Sequence, residues 1–114
     1  MAVPLYQAKA ELFRTLGHPV RIRVLELLQD APMPVRELLA AIDIEASSLS
    51  QQLAVLRRTN LVTATREGNT VIYVLSSPDV AGLLVTARRI LSGMISEQGQ
   101  LLEELRATTR EATA

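Results

Sequence analysis

The sequence predicts a mainly α fold with a small β-hairpin, on three observations. Apolar residues recur at three- and four-residue steps over most of the chain, the period of amphipathic helices. Between Leu61 and Leu75 that period gives way to Val, Thr, Ile and Tyr flanking Gly68-Asn69, a hairpin signal. The apolar content is also aliphatic: hydrophobic residues make up 48% of the chain and aromatic ones 3%, which suits a helical core of Leu, Val and Ala.

Leu5, Ala8, Leu12 and Leu16, with Phe13 alongside, define a first helix ended by Gly17 as a C-cap glycine. Pro19 suits the first turn of a second helix, whose apolar stripe is Val20, Val24, Leu27 and Leu28. Ala31-Pro-Met-Pro34 breaks the pattern and leaves room for one short extended segment. A brief third helix opens at Pro34 or Val35 and runs through Leu38, Leu39 and Ile42, followed by the connecting turn Asp43-Ile-Glu-Ala. A fourth helix spans about Ala46 to Arg58, with Leu49, Leu53 and Leu56 on one face and Asn60 as a left-handed C-cap. Leu61 to Glu67 and Thr70 to Leu75 are the hairpin strands; the turn type stays open. Ser77 as N-cap and Pro78 at the first helical position start the last helix, which runs to roughly Arg110. Val80, Leu84, Ala87, Leu91, Met94, Gln98, Leu101 and Leu105 alternate steps of four and three along it. That is a heptad seam of about four repeats, interrupted by Gln98 and weakened by Gly93 and Gly99. The 114 residues make one domain, with 78–110 as a long C-terminal dimerisation helix.

Helix, helix, short strand, helix, helix, strand, strand, long helix spells a winged helix-turn-helix. In that arrangement the third helix braces the fourth, and the fourth offers a polar face to the major groove. At 100° per residue, Ser47, Gln51 and Arg58 lie opposite the leucines, with Ser48 and Val55 beside them and Ser50 and Gln52 on the flanks. No acid occurs between Ala46 and Arg66. Ser47, Ser48, Ser50, Gln51, Gln52, Arg57 and Arg58 are therefore candidate DNA contacts, able to donate to base edges and phosphates. Arg66, Gly68, Asn69 and Thr70, at the hairpin tip, are candidates for the minor groove or flanking phosphates. Taken singly, the serines are a solvated helix start and the tip is a surface turn; their context gives both the DNA reading.

Composition narrows the alternatives. With 12 Lys+Arg against 12 Asp+Glu the net charge is zero, so nucleic-acid binding must come from a local patch. One Phe, two Tyr and no Trp argue against single-strand or RNA binding by stacking. The absence of Cys removes disulfides, thiolate metal sites, thiol switches and a Cys nucleophile. The one histidine, His18, reads as a capping or packing residue at a helix junction before it reads as a pH-sensitive group. Arg21 and Arg23 stay open between phosphate contact and solvation of the second helix. One His and no glycine-rich phosphate loop leave nothing to assemble an active site, so an enzyme is not expected. The N-terminus lacks a signal-peptide pattern and no run approaches the roughly 18 apolar residues of a membrane span, so a cytoplasmic chain without membrane contact is expected.

Leu16-Gly-His-Pro-Val-Arg-Ile-Arg-Val-Leu25 resembles the first-to-second helix junction of ArsR/SmtB-type bacterial repressors. Ser47-Ser-Leu-Ser-Gln-Gln-Leu-Ala-Val-Leu-Arg57 is similar to their recognition helix, and Leu61-Val, Arg66-Glu-Gly-Asn and Tyr73-Val-Leu to their wing. The resemblance runs from about Leu5 to Leu91. It implies a homodimeric repressor of an inverted-repeat operator, in a family where many members release DNA when an inducer binds. The pattern departs from the metal-sensing members. The third helix, Val35-Arg-Glu-Leu-Leu-Ala-Ala-Ile, has no thiol, and Ala81 and Ser92 stand where the last helix would want imidazoles. Asp79 alone cannot hold Zn²⁺, which takes about four ligands; it reads instead as an acid favoured by the helix dipole. No metal or cofactor is expected. An inducer, where one exists, would be an unidentified small organic molecule in a cleft between the dimer helices.

The seam past Leu91 exceeds what a chain this short can cover. Leu84, Leu91, Met94, Ile95, Leu101 and Leu105, with Leu5 and Leu12 of the first helix, are expected to meet a second copy. Two copies related by a dyad would read both halves of a palindrome. The alternative is a winged-helix protein-interaction module, which the zero net charge favours.

Overall fold

Three residues, Gly17, His18 and Pro19, end one helix and start the next. The computed structural model describes residues 2–113, with side chains to residue 107. Its elements are α1 (Leu5–Leu16), α2 (Pro19–Leu27), β1 (Met33–Pro34), α3 (Val35–Ala41), α4 (Ala46–Arg58), β2 (Val62–Glu67), β3 (Thr70–Leu75) and α5 (Pro78–Thr113). This is the predicted order, short strand included.

Gly17 closes α1 differently from the expected C-cap glycine. Its φ is −80°, outside the left-handed region, and its N–H donates to Arg14 O at 3.2 Å. Glycine fits here through close approach, since a Cβ would stand 3.3 Å from the Phe13 carbonyl. His18 is extended and caps α2: its Nδ1 accepts the Val20 N–H at 3.2 Å, while Pro19 has no N–H to satisfy.

The end of α4 follows its sequence signal. Asn60 has φ 61°, the Leu61 N–H donates to Leu56 O at 3.0 Å and the Asn60 N–H to Arg57 O at 3.1 Å. That bond pair is a Schellman motif, and the two leucines it brings together are both buried. The chain leaves it directly into β2. In the hairpin Glu67 pairs with Thr70, so the loop is Gly68-Asn69. Gly68 alone has positive φ, 62°, the φ pattern of a type II′ turn. β1 adds to the other edge of β3 through Met33↔Tyr73 and Pro34↔Ile72, giving the antiparallel order β1-β3-β2.

The core is aliphatic, as predicted. Val24 and Leu25 of α2, Leu38 of α3, and Leu49, Leu53 and Leu56 of α4 are fully buried. Among the described residues no polar or charged side chain is buried with them. α4 packs on α2 and β2, whereas α3 packs on β1 and β3.

Contacts divide the chain between Ala81 and Gly82 into two units. The first holds the core. Within it Ser77 Oγ accepts the Asp79 N–H at 3.1 Å, the predicted start of α5. The second is the remainder of α5, which continues helical through Gly93, Gln98 and Gly99. Leu91, Met94, Ile95, Leu101 and Leu105 are 52–67% exposed in this single chain. Leu84 is half-buried. In the first unit Leu5 is 69% exposed and Leu12 36%.

Candidate nucleic-acid interface

The three buried leucines of α4 fix which way the helix faces. Ser47, Ser50, Gln51, Ala54, Arg57 and Arg58 are exposed, a stripe at helical spacing. It spans about 16 Å at 1.5 Å per residue. Relative to the helical-wheel expectation the face is turned: Ser50 moves from flank to centre, while Ser48 and Val55 are half-buried. Ala54 joins the stripe. A methyl group carries no polar signal in the sequence, yet an exposed methyl suits the thymine methyl in the major groove.

Gln52, also a candidate, is half-buried and engaged within the protein. Its Oε1 accepts from Arg21 Nε at 2.7 Å, and Arg21 Nη1 donates to Thr15 O at 3.1 Å. Arg21 therefore spends its fork on α1 and α4. Arg23 lies 3.6 Å from Glu26 in an exposed pair, which adds little.

α4 carries no acid, and Glu45 before it makes no side-chain cap. Arg57 and Arg58 occupy its last turn, where the helix dipole favours cations. Among the described residues no carboxylate pairs with Arg57, Arg58 or Arg66. In the wing, Arg66, Gly68 and Asn69 are exposed and Thr70 is half-exposed. Alternation along β2 puts Arg66 on the side of Val62 and Ala64 and sends Glu67 to the other face. The wing's cation is thus separated from its acid.

Helix and wing share a base. Ser76 Oγ donates to Asn60 O at 2.7 Å, and the Ser76 N–H donates to Leu61 O at 3.1 Å. The return strand is thereby fastened to the turn that ends α4. The arrangement offers hydroxyls, the amides of Gln51 and Asn69, a methyl and three guanidinium groups, a set suited to base edges and phosphates. Among the described residues no three of His, Cys, Asp and Glu cluster to hold a metal, and no helix is long and apolar enough to cross a membrane.

The sequence model of a helix-turn-helix domain family matches residues 16–64. The chain is 51% identical over 105 residues to the uncharacterized HTH-type transcriptional regulator Rv0081 of Mycobacterium tuberculosis, covering 91% of this chain and 92% of that protein. The crystal structure of Rv0081 superposes with a TM-score of 0.79 at 50% identity, over 85% of this chain and 98% of that one. The HTH-type transcriptional repressor SmtB of the same species is 32% identical over 83 residues, 73% of this chain and 62% of that protein. The solution structure of the homodimeric winged helix-turn-helix DNA-binding domain Mb0332 of Mycobacterium bovis gives a TM-score of 0.74 at 25% identity, over 82% and 86% of the two chains.

Proposed function

The chain belongs to the ArsR/SmtB family of winged helix-turn-helix transcriptional regulators, which are not enzymes, and on that premise we propose a homodimeric, metal-independent repressor of an inverted-repeat operator. One observation carries the reading: an acid-free stripe from Ser47 to Arg58, backed by buried leucines, fastened at its end to a wing that presents Arg66. In this reading α4 enters the major groove, with Ser47, Ser50, Gln51 and Ala54 at base edges and Arg57 and Arg58 at phosphates. Ser48 borders the groove, and Gln52 supports the helix. Arg66, Gly68, Asn69 and Thr70 approach the minor groove or its phosphates.

All 114 residues work as one module, with α5 and α1 as the dimer surface. The exposed apolar seam of α5 supports this, as does the homodimeric state of Mb0332. Metal independence rests on ligand chemistry: the chain has no Cys, and the Nδ1 of its one His caps α2. An inducer, where the cell supplies one, is then an organic molecule.

The direct test measures binding to the DNA upstream of the chain's own gene against random duplex at moderate salt. Clear preference for the upstream DNA is expected; equal binding of the two would refute the repressor reading. Elution from DNA resin by salt would count against a pure protein-interaction module. Gln51→Ala is expected to cost about 1–3 kcal/mol and to relax preference at one base pair per half-site, read by titrating single-base variants of the bound sequence. Arg66→Ala should weaken all sequences alike and lower the log–log salt slope by about 1, read by repeating the titration over a salt series.

A further inference from the structure

We infer that Arg21 and Gln52 form a positioning pair that fixes the rotation of the recognition helix, so that both set base discrimination without touching DNA. The inference rests on the DNA-reading role of α4. The guanidinium is a rigid planar fork, and here two of its donors go to different elements. Nη1 reaches the Thr15 carbonyl at 3.1 Å and Nε reaches Gln52 Oε1 at 2.7 Å. Thr15 O is among the last four carbonyls of α1, which have no partner inside their own helix and lie at its negative dipole end. Arg21 satisfies one of them. Gln52 lies midway along α4, next to the exposed Gln51.

The need for such a tie follows from the other contacts of α4. Its buried face is Leu49, Leu53 and Leu56, and the hydrophobic effect that holds them in is itself non-directional. Burial of the three leucines fixes which side of α4 faces the core, and a directional bond narrows the rotation that remains within that side. A charge-assisted hydrogen bond has a direction, and this one joins the helix to a segment 31 residues earlier in the chain. Functional groups must be held within roughly 10–20° of their productive orientation. Rotation of α4 by more than that would swing Ser47, Ser50 and Gln51 together off their base edges.

The test uses the full chain and the duplex that it selects from a random pool, with a scrambled duplex as reference. Arg21→Met and Gln52→Met should each lower the ratio of selected to scrambled affinity by about tenfold. The double variant should lose no more than either single one, and affinity for the scrambled duplex should stay unchanged. Gln52→Glu keeps an acceptor for Arg21 and should keep both the ratio and the preferred bases. A merely structural pair would lower the unfolding temperature of the variants and leave the ratio of the folded protein intact, which would overturn the inference. A changed preferred base in Gln52→Glu would also overturn it, by making Gln52 a reader. Should Arg21→Met fail to fold, the Gln52→Met and Gln52→Glu variants decide the matter by themselves. A wild-type chain that selects no sequence brings down the DNA reading as well, a result distinct from selective wild-type binding with unaffected variants.

Discussion

A chain carrying Leu91→Gln, Met94→Gln and Leu101→Gln is expected to run as a monomer and to bind the duplex that wild type selects about a thousandfold or more weakly, toward non-specific affinity. The three side chains are 58%, 52% and 58% exposed in the single chain, so removing their apolar groups takes nothing from the buried core. Glutamine is a good helix former and uncharged, so neither helix propensity nor attraction to phosphate changes appreciably. What is lost is the apolar seam on which a second copy would close. The expectation follows from geometry: one small module makes too few base contacts for specificity, and a dyad doubles them. Sedimentation of the variant beside wild type gives the assembly state, and titration of that duplex gives the affinity. A variant that stays dimeric, or a wild type already monomeric, would remove α5 from the interface.

Leu56→Ala is expected to destabilise the chain by about 2–5 kcal/mol, the range for truncating a fully buried leucine. Against the roughly 5–15 kcal/mol that holds a domain together, this is a large part of the total. Leu56 is 0% exposed, and its carbonyl accepts the Leu61 N–H that closes the Schellman motif. The side chain therefore anchors α4, while the main chain of the same residue holds the root of the wing and is kept on truncation. Denaturant unfolding should show a lower midpoint with an unchanged slope. A shift worth under 1 kcal/mol would mean that this site collapses around the missing atoms.

Features that act locally were legible in the sequence. Leu49, Leu53 and Leu56 announce the buried side of α4 through their spacing, and Asn60 announces its end because few residues tolerate positive φ. Ser77 and Pro78 mark the start of α5 just as plainly. Gly17 misled in conformation though not in position, since close approach to the Phe13 carbonyl selects glycine as strongly as a left-handed turn does. The orientation of α4 was legible to about one flank. An ideal wheel cannot weigh which edge α2 and β2 cover, so it turns Ser48 further outward than its half-buried place and gives no sign that Ala54 is exposed. The bond from Arg21 to Gln52 left no trace at all. Polar pairs distant in sequence follow no period, and an arginine at a helix start reads the same whether it faces water or reaches across the fold.

The hairpin's two-residue loop and unbroken register govern how its reach could change. Adding two residues to each strand would carry the tip roughly 7 Å further out and return every side chain to its present side. Adding one to each would turn the tip over, exchanging the sides on which Arg66 and Glu67 project and offering a carboxylate to the phosphates. Viable length variants of this wing should therefore differ by even steps per strand.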